Sequence, residues 1–421
     1  MKQIVTSPLE VDAYKFTMEA FIRRYFPELW VKFAFNHRSA KRFPLADLVR
    51  ESELRRQLEM SRDLRFSDDD IDYIASQFGK FNPDFRSDSY RSHLRDFRLP
   101  PIKLSRAGSE YQIETEGLWT RTTFWETIVL RIIARLAAET LANQKYGPDG
   151  LKKAFDVGRR LLKNKIALFK QYPLMRIIEF ATRRAADPDW HFEALSELAN
   201  GLLPGQLVGT SNVLFAKKLG LTPKGTMAHE LFMAFAALMH LMFGPGAIRS
   251  SQMMIFDMWQ EYYGGQLDIA LCDTFTSKAF YEDFGPKRLK QWGGVRDDSG
   301  DPIDQTELYI RELLSADADI DVFTKTSFLA DGQNPTTMVN CFTHFQDQVQ
   351  TPFGPGTNIS NDLGIPALSM VMKLVEIMWQ ERRQGTVKLS NNLRKAQGRP
   401  RDVDFYLRIF GAPPTDVECQ Y

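Results

Sequence analysis

Between about residue 176 and residue 392 the chain repeats one local pattern. A short β-prone run ends in polar or glycine-rich residues and gives way to a helix. QLVGTSNV at 206–213, LDIALCDTFT at 267–276, QWGGVRDDSGD at 291–301 and DVFTKTSFLADG at 321–332 follow it, and QVQTPFGPGTN at 348–358 and TVKLSNN at 386–392 continue it. TELYIRELLSA and NPTTMVNCFTHFQDQ supply crossover helices. Strands joined by helices run parallel, and their polar ends converge on one rim. The pattern predicts a largely parallel α/β fold, either a barrel or a doubly wound sheet.

The first part of the chain is mixed. VKFAFN at 31–36 and YQIET at 111–115 read as strands, whereas LADLVRESELRRQLEM and DDDIDYIASQF place their apolar residues on one helical face. From about 122 to 182 the pattern is mainly helical, in FWETIVLRIIARLAAET, LKKAFDVGRRLLK and PLMRIIEFATRRA, with a break at YGPDG, 146–150. GAPPTDVECQY reads as an irregular tail. A formal charge of +1 spread over 421 residues gives no concentrated basic surface for nucleic acid. Cys272, Cys341 and Cys419 are too scattered for a metal spacing or a disulfide framework. No apolar run is long enough for a secretory signal or a membrane span, so a cytoplasmic protein is expected.

Several groups are suited to chemistry. His229, in GTMAHELFMAF, can accept a phosphoryl group or exchange a proton near neutrality, or simply start a helix. In GVRDDSGDP, Arg296 offers a planar fork of donors to a phosphate or carboxylate. Asp298 and Asp301 can orient ribose hydroxyls or place magnesium through water, or the segment is a capped loop. Asp273 is a further ribose- or cation-positioning carboxylate, or a helix cap. In FGPGTN, Gly354 and Gly356 permit close backbone approach and Thr357 donates a hydroxyl, which suits a phosphate or a plain turn. Tyr14 and Phe180 can sandwich a planar ring. Arg183 can meet a carboxylate, with Arg184 its local competitor. Neither a P-loop nor an early strand–GxGxxG–helix is present.

Taken in order, DAYKFTM (12–18), EGLWTRTTFWE (116–126), EFATRRA (179–185), GTSNV (209–213), GTMAHE (225–230), CDTFT (272–276), GVRDDSGDP (294–302), FGPGTN (353–358) and KLSNN (388–392) resemble the nicotinate phosphoribosyltransferase family, bacterial type. The resemblance covers most of the chain. It implies an irregular TIM-like barrel with an N-terminal α/β domain, the type II phosphoribosyltransferase architecture. The corresponding boundaries are an N-terminal α/β region at 1–130, a helical connection and barrel at 131–400, and a C-terminal extension at 401–421.

The resemblance also implies a reaction: nicotinate and phosphoribosyl pyrophosphate give nicotinate mononucleotide and pyrophosphate, coupled to ATP hydrolysis in NAD salvage. By the same likeness His229 is the transiently phosphorylated histidine, and Asp298 acts with it in catalysis. Tyr14 reaches a neighbouring active site and stacks on nicotinate opposite Phe180. Arg183 and Arg296 bind the negative groups, and Ser211 positions the pyridine where nicotinamide-using relatives carry an acid. Asp273, Asp298 and Asp301 position phosphoribosyl pyrophosphate and its Mg2+, with no side chain assigned as a direct metal ligand. Gly354, Gly356 and Thr357 form the phosphate loop, joined by Lys388. A homodimer is implied, with no nucleic-acid or membrane partner. Four positions depart from the family pattern: Ala181 for glycine, Pro355 for a β-branched residue, Asn391 for an acid and Ala330 for serine. Nicotinamide phosphoribosyl transfer and a noncatalytic phosphoribosyl-binding role are the alternatives.

Overall fold

The computed structural model describes residues 2–412, and it divides into two compact units. One comprises the described part of Met1–Pro27 with Val31–Gly225 and Pro355–Lys373. The other comprises Glu28–Trp30, Thr226–Gly354 and the described chain from Leu374 onward. Residues 413–421 of the expected extension, Cys419 among them, lie outside the described residues.

In the first unit, Ile102–Ala107 and Glu110–Leu118 form an antiparallel hairpin. Trp30–His37 lies beside its second strand, followed by the start of Met370–Trp379. Tyr111, Ile113 and Thr115 are buried while alternate residues are not, the period-two signature of a sheet with one covered face. Helix Asp68–Phe78 starts where the sequence places it, because Ser67 and Asp70 form a reciprocal capping box. The helical stretch after 122 becomes Trp125–Tyr146 and Gly150–Phe169, broken at Gly147. An aromatic cluster of Phe16, Phe66, Phe78, Phe97 and Phe124 packs at centroid distances of 4.9–5.9 Å. Each such ring contributes about 1.5–3 kcal/mol by leaving water.

PLMRIIEFATRRA is not helical, contrary to expectation. Ile177–Glu179 is a strand paired in parallel with Leu207–Thr210, and the chain leaves it as a loop. Its apolar residues fit either period, but Met175, Ile177, Glu179 and Ala181 are buried in alternation.

The second unit holds helices His229–Phe243 and Ile248–Tyr263 and then a parallel sheet of Ile269–Leu271, Gly294–Asp297 and Thr326–Leu329, in that order. Helices Ser277–Gln291 and Pro302–Ala316 are the crossovers between these strands, and Pro335–Phe345 follows the third. Arg382–Gly385 pairs antiparallel with Glu376–Trp379. Phe256, Phe280, Phe284 and Trp292 form the aromatic core, with centroids 4.4–5.9 Å apart.

The expected TIM-like barrel is corrected by this topology. The described strands form mixed α/β sheets of five, two and three strands, and none closes on itself. Closure requires every strand to be laddered on both edges. Here 348–358 contributes only single bridges at Gln350 and Phe353, and 386–392 only one, from Lys388 to Gln397. Pro352 and Pro355 have no N–H to extend a ladder. Between Thr210 and Ile269 the chain runs through helices.

Candidate functional site

Two groups of polar side chains stand out, one in each unit. In the first, Glu126 is carried into the interior on the opening turn of the helix Trp125–Tyr146 and is almost fully buried. Its Oε2 accepts from Lys15 Nζ at 2.7 Å and from Tyr14 Oη at 3.2 Å, and its Oε1 accepts from Arg183 at 3.0 Å. Lys373 lies 3.7 Å away. Burial alone would raise this carboxyl, but Lys15, Arg183 and Lys373 outweigh it and hold Glu126 below the usual carboxylate range. Arg183 also pairs with Asp12 at 2.9 Å, and its guanidinium sits 5.5 Å from the centroid of the Tyr14 ring.

Ser211 belongs to the same unit. Its hydroxyl lies 2.8 Å from that of Thr182, and its carbonyl accepts from Ala13 N at 2.7 Å, which ties GTSNV to the residue before Tyr14. Underneath, the buried Glu179 accepts from Ala181 N, Thr210 Oγ1 and His191 Nε2, at 2.6, 2.5 and 2.9 Å. Arg131 continues the network to His191, Glu10 and the Thr182 carbonyl. Arg184, the alternative to Arg183, donates instead to the Met370 carbonyl. Phe180 is half-buried, and its N–H donates to the Pro355 carbonyl at 3.0 Å. A Cβ at Gly356 would meet the Phe180 carbonyl at 2.9 Å, so this approach favours glycine. Arg183, Arg184 and Thr357 line a small open cleft with an apolar wall from Ala134, Ala137 and Leu141.

In the second unit His229 is the first residue of the 15-residue helix His229–Phe243, and no side chain caps that helix. The helix start is the positive end of its dipole. His229 is buried, with Nδ1 3.0 Å from Thr274 Oγ1. Nε2 lies 2.9 Å from Lys388 Nζ, 3.3 Å from Asp298 and 3.9 Å from Asp273. A lysine ammonium donates and does not accept, so opposite the charged Lys388 Nε2 holds its lone pair and Nδ1 carries the proton given to Thr274. Burial, then the charge on Lys388, push His229 down to about 4 against the pull of Asp273 and Asp298. Burial also lowers Lys388, against the two aspartates.

Arg296 reaches Asp298 at 3.5 Å. Burial works against Asp298's charge, but Arg296 and then His229 hold its carboxyl well below the ordinary range. Two buried atoms here have no hydrogen-bond partner among the described residues: Arg296 Nε and Asp273 Oδ1. One is a donor suited to an anion and the other a hard acceptor suited to a cation. Next to them, burial and then Asp273 raise Asp297 well above the usual carboxylate value.

The structure thus brings together Tyr14, Arg183 and Ser211 in one unit, and His229, Asp273, Asp298, Arg296 and Lys388 in the other. Asp301 is exposed and caps Pro302–Ala316 through Oδ1, and among the described residues no hydrogen bond or ion pair joins it to His229. Of the phosphate loop, Gly354 belongs to the second unit and Gly356 and Thr357 to the first. Gly354 N donates to the Leu329 carbonyl. Sequence reasoning missed Glu126, Asp12 and Thr274, and met Asn391 only as a departure from the family pattern. All four stand inside the landmark segments, but only their partners, far along the chain, mark them out.

Among the described residues no three His, Cys, Asp or Glu side chains group as a metal site, and no helix is long and apolar enough to cross a membrane. Magnesium needs less than such a cage: it takes one or two carboxylates and completes its shell with water and phosphate oxygens. Asp273, with Oδ1 unbonded, fits that demand.

Buried cations and an uncapped helix start on an α/β frame define a protein that handles anionic substrates. Comparison with known proteins specifies it further. The nicotinate phosphoribosyltransferase (NAPRTase) family model matches residues 175–406, and the model of its N-terminal domain matches 9–134. A nicotinate phosphoribosyltransferase from Porphyromonas gingivalis is 26% identical, with 97% of this chain and 100% of that one covered and a TM-score of 0.83. The Vibrio cholerae enzyme is 27% identical, with 97% and 94% covered and a TM-score of 0.82. A putative nicotinate phosphoribosyltransferase from Saccharomyces cerevisiae, at 24% identity, shares the fold over 98% of this chain and 99% of that one, with a TM-score of 0.81. The chain belongs to the nicotinate phosphoribosyltransferase family.

Proposed function

We propose that His229 is the phosphoryl acceptor through which ATP drives this chain's reaction, the conversion of nicotinate and phosphoribosyl pyrophosphate to nicotinate mononucleotide and pyrophosphate. The observation that carries the reading is Lys388 Nζ at 2.9 Å from His229 Nε2, with Nδ1 engaged by Thr274. A neutral ring with its lone pair at Nε2 is the nucleophilic form of histidine. Nε2 bonds to the γ-phosphorus of ATP as the bond to the bridging oxygen breaks, and ADP leaves with the electron pair. Lys388 turns its N–H from the ring to the arriving phosphoryl oxygens, and the helix start adds its positive end. Water later takes the phosphoryl group as inorganic phosphate and restores the ring.

In the phosphoribosyl step the pyridine nitrogen of nicotinate attacks ribose C1 and pyrophosphate departs. Tyr14 and Phe180 flank the planar ring, Ser211 positions it, and Arg183 and Arg296 neutralise the carboxylate and phosphate charges. Asp298 and the Oδ2 of Asp301, which the helix cap leaves unused, orient the ribose. Gly354, Gly356, Thr357 and Lys388 take the phosphates. Magnesium, held by Asp273 and Asp298 with the substrate's own oxygens, would neutralise charge on the departing pyrophosphate. The reading extends to a cytoplasmic homodimer in which Tyr14 serves the neighbouring subunit.

The test is covalent labelling. Incubation with ATP labelled at the γ-phosphate should place acid-labile, base-stable phosphate on the wild-type protein and none on His229→Asn. Equal labelling of both would remove His229 from the reaction.

A further inference from the structure

Both ring nitrogens of His229 face one short loop. Thr274 holds Nδ1, and Asp273 lies on the Nε2 side. That loop follows an unfavourable path, since Thr276 has φ 84°, where side-chain-bearing residues are rare. Such a conformation persists only when its surroundings over-determine it.

Asn391 is fully buried against the loop. Its Oδ1 accepts from Ser277 N at 2.7 Å, and its Nδ2 donates to Ser277 Oγ at 2.8 Å. The same Nδ2 faces the Ser299 carbonyl at 3.2 Å and Gln305 Oε1 at 3.3 Å. Its backbone N–H donates to Ser299 Oγ at 3.1 Å, and Ser299 Oγ donates to Asp273 Oδ2 at 2.5 Å. Just before it, Leu389 and Ser390 both donate to the Thr274 carbonyl, and Ser390 itself has φ 66°. The carboxamide ties its own segment to three others: the 273–277 loop, the Asp298–Gly300 turn and, through Gln305, the helix Pro302–Ala316.

We propose that Asn391 is a positioning residue that clamps the 273–277 loop to the Ser299 turn, leaving Oδ1 of Asp273 unbonded and turned toward His229. Its contribution rests on the function proposed for His229 and Asp273. The contacts in this chain fit an amide, although the family pattern has an acid here: one end accepts from a backbone N–H while the other donates to a carbonyl that can only accept. A carboxylate of the same shape satisfies Ser277 N but confronts the Ser299 carbonyl with a second acceptor. It also adds a charge beside Asp273, Asp297 and Asp298.

The isosteric Asn391→Asp tests this. Its affinity for magnesium pyrophosphate, measured by calorimetry on the full chain, should fall roughly 10- to 100-fold, as for partners that orient ligand carboxylates. His229 labelling by ATP should slow similarly, with the KM for nicotinate unchanged. Partial unfolding would lower the binding stoichiometry and leave Kd alone, so the Kd separates positioning from stability. If Asn391→Asp does not fold, Ser299→Ala decides, because it cuts the relay to Asp273 while leaving both ends of the carboxamide on Ser277. A weaker Kd in that variant supports the clamp. Wild-type Kd in a folded Asn391→Asp, or in Ser299→Ala where the first does not fold, overturns it. Absence of label on wild-type protein would instead count against the role of His229, with the calorimetric arm still deciding the clamp.

Discussion

Lys388 Nζ lies 2.9 Å from His229 Nε2, both side chains are buried, and 159 residues of chain separate them. A donor held against one imidazole nitrogen opposes protonation there and fixes the tautomer. Burial first, and then this pair, keep the histidine neutral near two aspartates, which by themselves would favour its charged form.

Lys388→Met removes that donor while roughly keeping its volume. The ring then answers to Asp273 and Asp298, and its pKa, followed by NMR, should rise from about 4. Phosphoryl transfer to His229 should slow by on the order of 10²-fold, the scale for loss of one preorganised donor. An unchanged labelling rate would assign Lys388 to the surface rather than to the reaction.

His229 also makes stability depend on pH. Its folded value of about 4 is below the ordinary 6.5, so the unfolded chain binds the extra proton first. Stability is complete above 6.5 and declines as pH falls toward 4, by roughly 3 kcal/mol in all. His229→Asn cannot titrate. Between pH 7.5 and 5.0 it should lose about 2 kcal/mol less than wild type in urea unfolding. Parallel losses would mean that the histidine is not held neutral.

Glu126 neutralises Lys15 in the interior, and the half-buried Arg183 and Lys373 reach the same carboxylate. Glu126→Gln leaves the buried Lys15 uncompensated, and about 3–5 kcal/mol of stability should go with it. Chemical denaturation reads this directly. Freed from Glu126, Arg183 is also less well placed, and the KM for nicotinate should rise more than kcat falls. A loss below 1 kcal/mol would show that the cluster reorganises around the amide.

Ser211 shares a hydrogen bond with Thr182 and carries no charge. Ser211→Asp puts an anion where nicotinate's carboxylate would be repelled and the amide of nicotinamide could donate. The ratio of nicotinate to nicotinamide kcat/KM should drop by at least about tenfold, the scale of 1.4 kcal/mol. No change in the ratio would place Ser211 away from the pyridine.

What the sequence disclosed follows from the range of the interactions. Helices such as Asp68–Phe78 and Trp125–Tyr146 were legible because a capping box or a long apolar face is local. The three parallel strands at 269–271, 294–297 and 326–329 fall inside segments singled out for their polar ends. Closure was not legible, since it depends on which edges hydrogen-bond, and Pro352, with no N–H to donate, interrupts the pairing beside Thr326–Leu329. PLMRIIEFATRRA satisfied two periods at once, and burial of Glu179 among His191, Thr210 and Ala181 selected the strand. His229, Asp273, Lys388 and the motif carrying Arg296 and Asp298 lie in separate segments; the family resemblance grouped their roles, but their contacts are tertiary. Asn391 was visible only as a departure from the family pattern, because its partners at 277, 299 and 305 belong to other segments.

Product-resolved turnover separates ATP-coupled nicotinate transfer from nicotinamide transfer. Purified protein is given phosphoribosyl pyrophosphate and magnesium with either nicotinate or nicotinamide, each with and without ATP. Nicotinate mononucleotide should form, faster and further with ATP, with little product from nicotinamide. Nicotinamide mononucleotide as the main product, or nicotinate turnover indifferent to ATP, would contradict ATP-coupled nicotinate transfer.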